Sequence, residues 1–510
     1  MVVSTGQQSL IEVGAVESAE PVAGGAAEGK VFRGCDRAQV LLLPPSLDDW
    51  LPAEHLARFV DELVESYLDV SAFYAAHTSL RGAPPFDPRM MLKVLLYGYV
   101  SGVRSSRRIE RACTEDVAFR WLAANTVPDY RSVARFRQRH LSALEALFGQ
   151  VLALCQAAGM VKLGQVALDG TKVRANASRH KAMSYERMGR SEAELAAEVE
   201  AMLAEAEAID AAEDAEFGAD RRGDELPAEL ASRETRLEAI RAAKQALEEQ
   251  ARERAADQAA GKVHARAARQ ADRGEPVDDQ QVDTDAAAAA EQAAREAVPD
   301  PKAQRNFTDP DSRIMKTDDG SFQQCYNAQI VADSKAQVIV AADLIQAGTD
   351  VTALSDMLEQ TIANTATTPR RLLADAGYYS KANTDACADA GVDALIATGR
   401  LKHSEQIPDA PRGRIPADAT PKQRMARKLR TKKGRAAYAR RKTVVEPVFG
   451  QMQTRQDADR LLLRGHQAAR AEHRLLCAGH NLLKLFTTGK LERLRELLDR
   501  TPTTVTPAPT

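Results

Sequence analysis

Apolar residues recur at three- and four-residue steps through Leu56, Phe59, Val60, Leu63, Val64 and Tyr67. That spacing is the buried stripe of an amphipathic helix. Ser46 or Asp48 can cap the first helix of this region. Pro84, Pro85 and Pro88 mark a turn, and Met91 to Val100 is apolar enough for a helix buried on most of its surface. Ser105–Trp121 and Ser132–Ala158 continue the helical pattern, and Pro128 ahead of Asp129-Tyr130-Arg131-Ser132 reads as a helix start. Residues 46–160 are therefore expected to form a helical domain.

From Gly164 the period changes. Val166 to Leu168 predicts a short strand ending in Asp169-Gly170. Residues 181–301 interrupt the strand signal. Leu195, Val199, Met202, Ala206 and Ile209 step as a coiled-coil seam does, and Leu230, Leu237, Ile240 and Leu247 form a partial second seam after Pro227. A helical hairpin is expected there, followed by a flexible Ala/Asp/Gln-rich linker from Lys262 to Pro301. Strand signals return at Tyr326–Ala332 and Val338–Leu344, a β-hairpin around Asp333-Ser334-Lys335-Ala336. Val351–Ile362 reads as a helix, Arg371–Ala374 as a strand ending in Asp375, Lys381–Ala390 as a helix and Val392–Ala397 as another strand. From about Pro421 to Leu498 the chain is helical. The class is α+β, with a mixed sheet. Residues 1–37 and 501–510 lack periodicity and read as disordered tails.

Length and charge sharpen this picture. A chain of 510 residues points to more than one core. The net charge of −3 does not advertise a nucleic-acid binder, but Leu401–Val445 holds 14 Lys/Arg against three Asp/Glu. The six cysteines form no CxxC pair, so a zinc ribbon and a disulfide framework both lack support. No run of 18 apolar residues and no basic-then-apolar leader occurs, so a cytoplasmic chain with no membrane partner is expected.

Two segments look alike. Val166-Ala167-Leu168-Asp169 and Leu372-Leu373-Ala374-Asp375 each put a carboxylate after a short apolar strand. Ligands of open α/β sheets collect at that edge. Two such acids side by side repel, and a divalent cation relieves the repulsion by taking both as oxygen ligands. A third acid, Glu446, lies among Val444, Val445, Val448 and Phe449, at the edge of a helix face that would be buried. Three carboxylates suit two-metal phosphoryl transfer, with Mg²⁺ as the fitting ion and Mn²⁺ as its substitute. Taken singly, an Asp after a strand is often a turn or helix cap, and a helical Glu is often only solvated. Together, and beside a basic segment, the three favour the catalytic reading.

Arg440, Arg441 and Lys442 lead that basic segment into Glu446, where a phosphate backbone would need positive charge; a solvated helix face is the alternative. Tyr438 either stacks on a base or packs in the core. Arg131 and Arg135, with Arg137 and Arg139, surround the helix start near Ser132 and are candidates for base or phosphate contact. His466, His473 and His480 share a helix face at seven-residue steps, roughly 10 Å apart, too far for one ion.

These residues resemble those of DDE insertion-sequence transposases, and most closely the eleven-eighty-two branch of bacterial insertion sequences. The resemblance is carried by Asp169 in ALDGTKVRANAS, Asp375 in LLADAGYYSKAN and Glu446 in YARRKTVVEPVFGQMQ. It extends to FDPRMMLKVLLYGYVSGVRSSRRIE and PDYRSVARFRQRH upstream, and to LLLRGHQAARAEHRLLCAGHNLLKLF near the end. It implies an RNase H-like core over 164–180 and 302–486, a DNA-binding helical domain over 46–160, and Asp169, Asp375 and Glu446 as catalytic metal ligands. It also implies two Mg²⁺ ions and action on terminal inverted repeats and target DNA at the nucleoid. The family's Tyr-Arg-Glu-Lys pattern is met by Tyr438, Arg440 or Arg441, and Glu446, but its Lys is Gln453 here. Joining two ends requires self-association, and the inserted hairpin is a candidate for it. A silent, transposase-derived DNA-binding protein and an RNase H-like nuclease without strand transfer are the rival readings.

Overall fold

A computed structural model describes residues 46–76, 84–178, 181–188, 233–272, 276–317, 319–399, 412–416 and 419–489. Helices of five residues or fewer are left unlabelled below. The first region is helical, with α1 (Leu56–Ser66), α2 (Pro88–Ser101), α3 (Ser106–Glu115), α4 (Val117–Leu122), α5 (Tyr130–Arg139) and α6 (Leu141–Ala157). The stripe expected on α1 is the face it buries: Phe59, Val60, Leu63 and Val64. Its cap is His55, whose ring accepts from Ala57 N–H; Ser46 directly precedes the short first helix, Leu47–Trp50. α2 starts at Pro88 behind the Asp87 cap and stops at Gly102, whose φ of 81° only glycine adopts without strain. α5 begins at Tyr130, two residues before Ser132, because Asp129 caps it by accepting from Ser132 N–H.

The sheet follows. Its strands are β1 (Val166–Arg174), β4 (Arg313–Lys316), β5 (Phe322–Asp333), β6 (Ile339–Ile345), β7 (Arg371–Ala374) and β8 (Asp393–Ile396). β6 and β4 lie along the outer side of β5, and the order continues β5-β1-β7-β8. β4, β5, β6 and β1 pair antiparallel, whereas β1, β7 and β8 are parallel. This mixed α+β arrangement is consistent with an RNase H-like core. α9 (Ala353–Thr365) and α10 (Lys381–Asp389) connect the later strands. α11 (Pro421–Arg430), α12 (Lys432–Gln456) and α13 (His466–Thr487) close the described chain. α2, α6 and α13 share one hydrophobic core with the sheet.

One strand differs from expectation. β1 does not end at Asp169 but runs to Arg174, because β5 pairs with it over the whole span from Val166 opposite Asp333 to Arg174 opposite Cys325. The polar run Asp169-Gly170-Thr171-Lys172 hides the strand's second half from a reading of hydrophobicity alone.

The insertion also differs. The seam from Leu195 to Ile209 lies outside the described residues. The segment read as a flexible linker is helical: α7 (Arg233–Asp272) continues past Lys262, and α8 (Asp279–Glu296) packs back along it. Alanine is the strongest helix former, and Asp278 caps α8 by accepting from Gln280 and Gln281 N–H. Ile240 and Leu247 pack on Met183 and Met188, beside a short ribbon of β2 (Ala182–Ser184) and β3 (Gln304–Asn306).

A buried polar network joins the early helices to α13. Arg104 and Glu472 pair at 3.1 Å with side chains 2 % and 0 % exposed. Glu472 also accepts from Tyr99 hydroxyl and from Leu462 and Leu463 N–H. Arg104 donates to the carbonyls of Asp457 and Arg460. Arg137 extends the network by donating to the Tyr99 hydroxyl, the Arg104 carbonyl and the Ser106 hydroxyl. Among the described residues, no helix is long and apolar enough to cross a membrane.

Candidate active site

β1 and β7 run parallel, with Val166 opposite Leu372 and Ala167 opposite Leu373. Asp169 and Asp375 each stand two residues beyond that last pair, so the register brings the two acids to the same level on neighbouring strands. The long stretch of sequence between them is irrelevant to their spacing. Asp375 ends β7 and caps the single turn Ala376–Tyr378, its Oδ1 accepting from Gly377 N–H at 2.7 Å.

Glu446 arrives on α12. Val444, Val445 and Val448 are buried, and the Glu446 side chain is 53 % exposed, at the edge of the packed face as its neighbours implied. Pro447 interrupts the helix's hydrogen bonds, because it has no N–H to give to the Thr443 carbonyl. Gln337 Nε2 takes that role, donating to Thr443 O at 2.9 Å.

Arg441 links the acids. Its Nη1 donates to Asp169 Oδ2 at 2.8 Å, and its Nη2 is 3.8 Å from Glu446 Oε1. The Arg441 side chain is 12 % exposed, and its Nε has no protein partner. Tyr438 is partly buried and packs against the core. As placed, no three His, Cys, Asp or Glu side chains among the described residues stand close enough together to hold an ion.

The electrostatics fit a cation site. Burial pushes the Asp169 carboxyl above the usual carboxylate range, Arg441 and the Gly170 N–H pull it down, and the nearby Asp375 charge pushes it up again. Burial works against the Arg441 charge, but the Asp169 carboxylate beside it outweighs that and holds the guanidinium above its ordinary value. A hard divalent ion would replace the water these oxygens have lost and cancel the repulsion between Asp169 and Asp375. The donor chemistry therefore suits a hard divalent ion.

A stability measurement follows. An acid whose folded pKa is raised supports the fold fully only below its unfolded pKa, and loses that contribution as pH rises through the folded value. Asp169→Asn, which fixes the neutral form, should raise the metal-free Tm at pH 7, and the gain should vanish on descending below the ordinary carboxylate range. A variant no more stable than the parent at pH 7 would contradict the assigned desolvation.

The sequence did not disclose Asp350. It stands between β6 and α9, and its Oδ1 accepts from Asn327 Nδ2 at 2.6 Å, Gln329 Nε2 at 3.0 Å and Lys172 Nζ at 3.2 Å. The surrounding Gly-Thr-Asp-Val has no apolar strand before it, so nothing local marked it.

The basic residues divide. Lys428 pairs with Asp393, Arg424 and Arg427 donate to nearby carbonyls, and Arg441 holds Asp169. Lys432, Lys433, Arg435, Arg440 and Lys442 are exposed. On α5, Arg135 is exposed, and Arg131 lies over the Tyr130 ring with its Nε donating to the Tyr130 hydroxyl. Arg137 is only 1 % exposed and bound into the buried network, which removes it from any surface role. His466, His473 and His480 each meet a backbone carbonyl, of Leu344, Gln329 and Gln337. Burial lowers His473 and His480 to about 4, so both are neutral packing residues.

Two family models match the chain: a Transposase domain (DUF772) over residues 45–139, and a Transposase DDE domain over residues 296–482. No curated protein and no solved structure matches it. The first range covers the helices α1 to α5; the second contains Asp375 and Glu446. Asp169 falls between them and is tied to the second by strand register. Together the two matches indicate a DDE-type insertion-sequence transposase.

Proposed function

We propose that this transposase cuts and joins the terminal inverted repeats of an insertion sequence of the eleven-eighty-two branch, on an RNase H-like core, by metal-dependent phosphoryl transfer. The observation that carries the reading is the pair Asp169 and Asp375 at one level of parallel strands, with Glu446 reaching the same place through Arg441. A water or 3′-hydroxyl oxygen attacks phosphorus, and the bond to the leaving 3′ oxygen breaks. When bound, two divalent ions would activate the attacking oxygen and neutralise the leaving one. Asp169 and Asp375 would hold them, and Glu446 would complete the set. Arg441 keeps the buried acids compensated before the ions arrive, then turns to a phosphate oxygen. The direct test is Mg²⁺-dependent cleavage of a labelled transposon-end duplex; no cleavage with either Mg²⁺ or Mn²⁺ would count against the enzyme and for the silent DNA-binding rival.

DNA contact is assigned to Arg440 and Lys442 beside the site and to Arg131 and Arg135 on α5. Each released phosphate contact shallows the dependence of log K on log salt by about 0.9 on duplex DNA. Arg440→Ala with Lys442→Ala should therefore reduce the slope by about two, equally for specific and random duplexes. A slope equal to the parent's would remove both residues from the interface. Arg441 belongs to the acids, and changing it would confound the measurement. Two ends must be held together, so the protein acts as at least two copies on DNA at the nucleoid, and the insertion at about 191–255 is the segment proposed for that contact.

A further inference from the structure

Side chains alternate along a strand, so Asp169 and Gly170 face opposite sides of β1. On the Gly170 side, Lys172 is paired in register with Asn327, and Gly170 with Gln329. A Cβ on Gly170 would stand 2.2 Å from Gln329 Nε2, so the amide of Gln329 lies hard against the backbone that carries Asp169. Tyr378, in the turn after Asp375, donates its hydroxyl to Gln329 Oε1. Asp350 collects this layer, for its Oδ1 takes Lys172, Asn327 and Gln329 together. Its Oδ2 takes none of these bonds and is turned to the β7 end. A Cβ on Gly377 would sit 3.3 Å from Asp350 Oδ2 and 3.0 Å from Asp375 Oδ1. The charges of Asp350, Asp169 and Asp375 all bear on the Tyr378 hydroxyl.

We infer that Asp350 is a fourth acid of the active site, a positioning residue that backs Asp169 through the Gln329 and Asn327 amides and sets the charge facing Asp375. This rests on the reading of Asp169 and Asp375 as cation ligands. Lys172 bonds the same oxygen and opposes it by competing as a positive charge. In Asp350→Asn, the amide oxygen keeps the three donors and the amide N–H₂ replaces the carboxylate oxygen facing Asp375. The substitution withdraws the charge that a cation needs. Lys172→Gln keeps a donor to Asp350 and removes the competing charge.

The experiment is a Mn²⁺ titration of the full chain followed by electron paramagnetic resonance, without DNA, with metal-free Tm measured alongside. Asp350→Asn should weaken Mn²⁺ binding about 10- to 100-fold, the usual effect of losing a partner behind a ligand, with Tm unchanged. Lys172→Gln should tighten it. Opposite signs are the mark of positioning by charge; weakening in both variants would mean a purely structural role and overturn the inference. So would parental Mn²⁺ binding by Asp350→Asn while Asp169→Asn loses it. Parental binding by Asp169→Asn would instead overturn the underlying assignment of the ligands. Should Asp350→Asn fold poorly, Lys172→Gln alone still decides: a parental or weaker affinity for Mn²⁺ sinks the proposal.

Discussion

Asp169→Asn or Asp375→Asn should lower cleavage of a transposon-end duplex by roughly a thousandfold or more, since metal-bound charge stabilisation is worth several kcal/mol and each 1.36 kcal/mol is tenfold. Duplex affinity should hold, because neither side chain belongs to the exposed basic set. Asparagine preserves the local geometry: at 375 its oxygen still accepts from Gly377 N–H, and at 169 it still accepts from Arg441. The change is therefore confined to charge and metal affinity. Single-turnover cleavage at saturating protein separates this from weakened binding. Cleavage within about tenfold of the parent would remove that residue from the ligand set.

The largest effect on stability is expected at Glu472. Removing one partner of a buried ion pair typically costs about 3–5 kcal/mol, because the other charge is left buried without compensation. Glu472→Ala strands the Arg104 guanidinium and also frees the Tyr99 hydroxyl and the Leu462 and Leu463 N–H groups. Urea unfolding should show a loss in that range, with α13 loosened from the early helices. Replacing Arg104 and Glu472 together by leucine should cost less than Glu472→Ala alone, since neither charge of the pair is then left without the other. A single-variant loss of about 1 kcal/mol or less, the value of a surface pair, would mean that water reaches this network.

Where hydrophobic spacing was strong, the sequence disclosed the fold. The α1 stripe, the β5–β6 hairpin, β7, α10 and β8 all lie within a few residues of their expected places. That Asp169 and Asp375 stand level on neighbouring strands was legible because each comes after an apolar run, and the exposed edge position of Glu446 because it sits among valines. What pairing decides was not legible. β1 outlasts its apolar run because β5 supplies hydrogen bonds along the whole length. Asp350 and Arg441 gain their roles from chain positions far from the residues they touch, and no local pattern encodes that. The alanine-rich linker became a helix because low hydrophobicity is not low helix propensity. Arg137 shows the converse: an arginine beside a helix start looked like a surface group and is a buried structural one.

The short ribbon of β2 and β3 has a further meaning for how this chain tolerates change. Ala182 lies opposite Asn306 and Ser184 opposite Gln304, so both ends of the inserted segment are pinned side by side before it leaves the core. Closing a loop costs only about 0.6 kcal/mol more for each doubling of its length once its ends are fixed. Helical turns can accumulate or disappear beyond Ser184 with little consequence for the acids, whose spacing is governed by β1 and β7. The ribbon works as a socket: it lets the inserted segment lengthen or shrink while Asp169 and Asp375 stay level on β1 and β7.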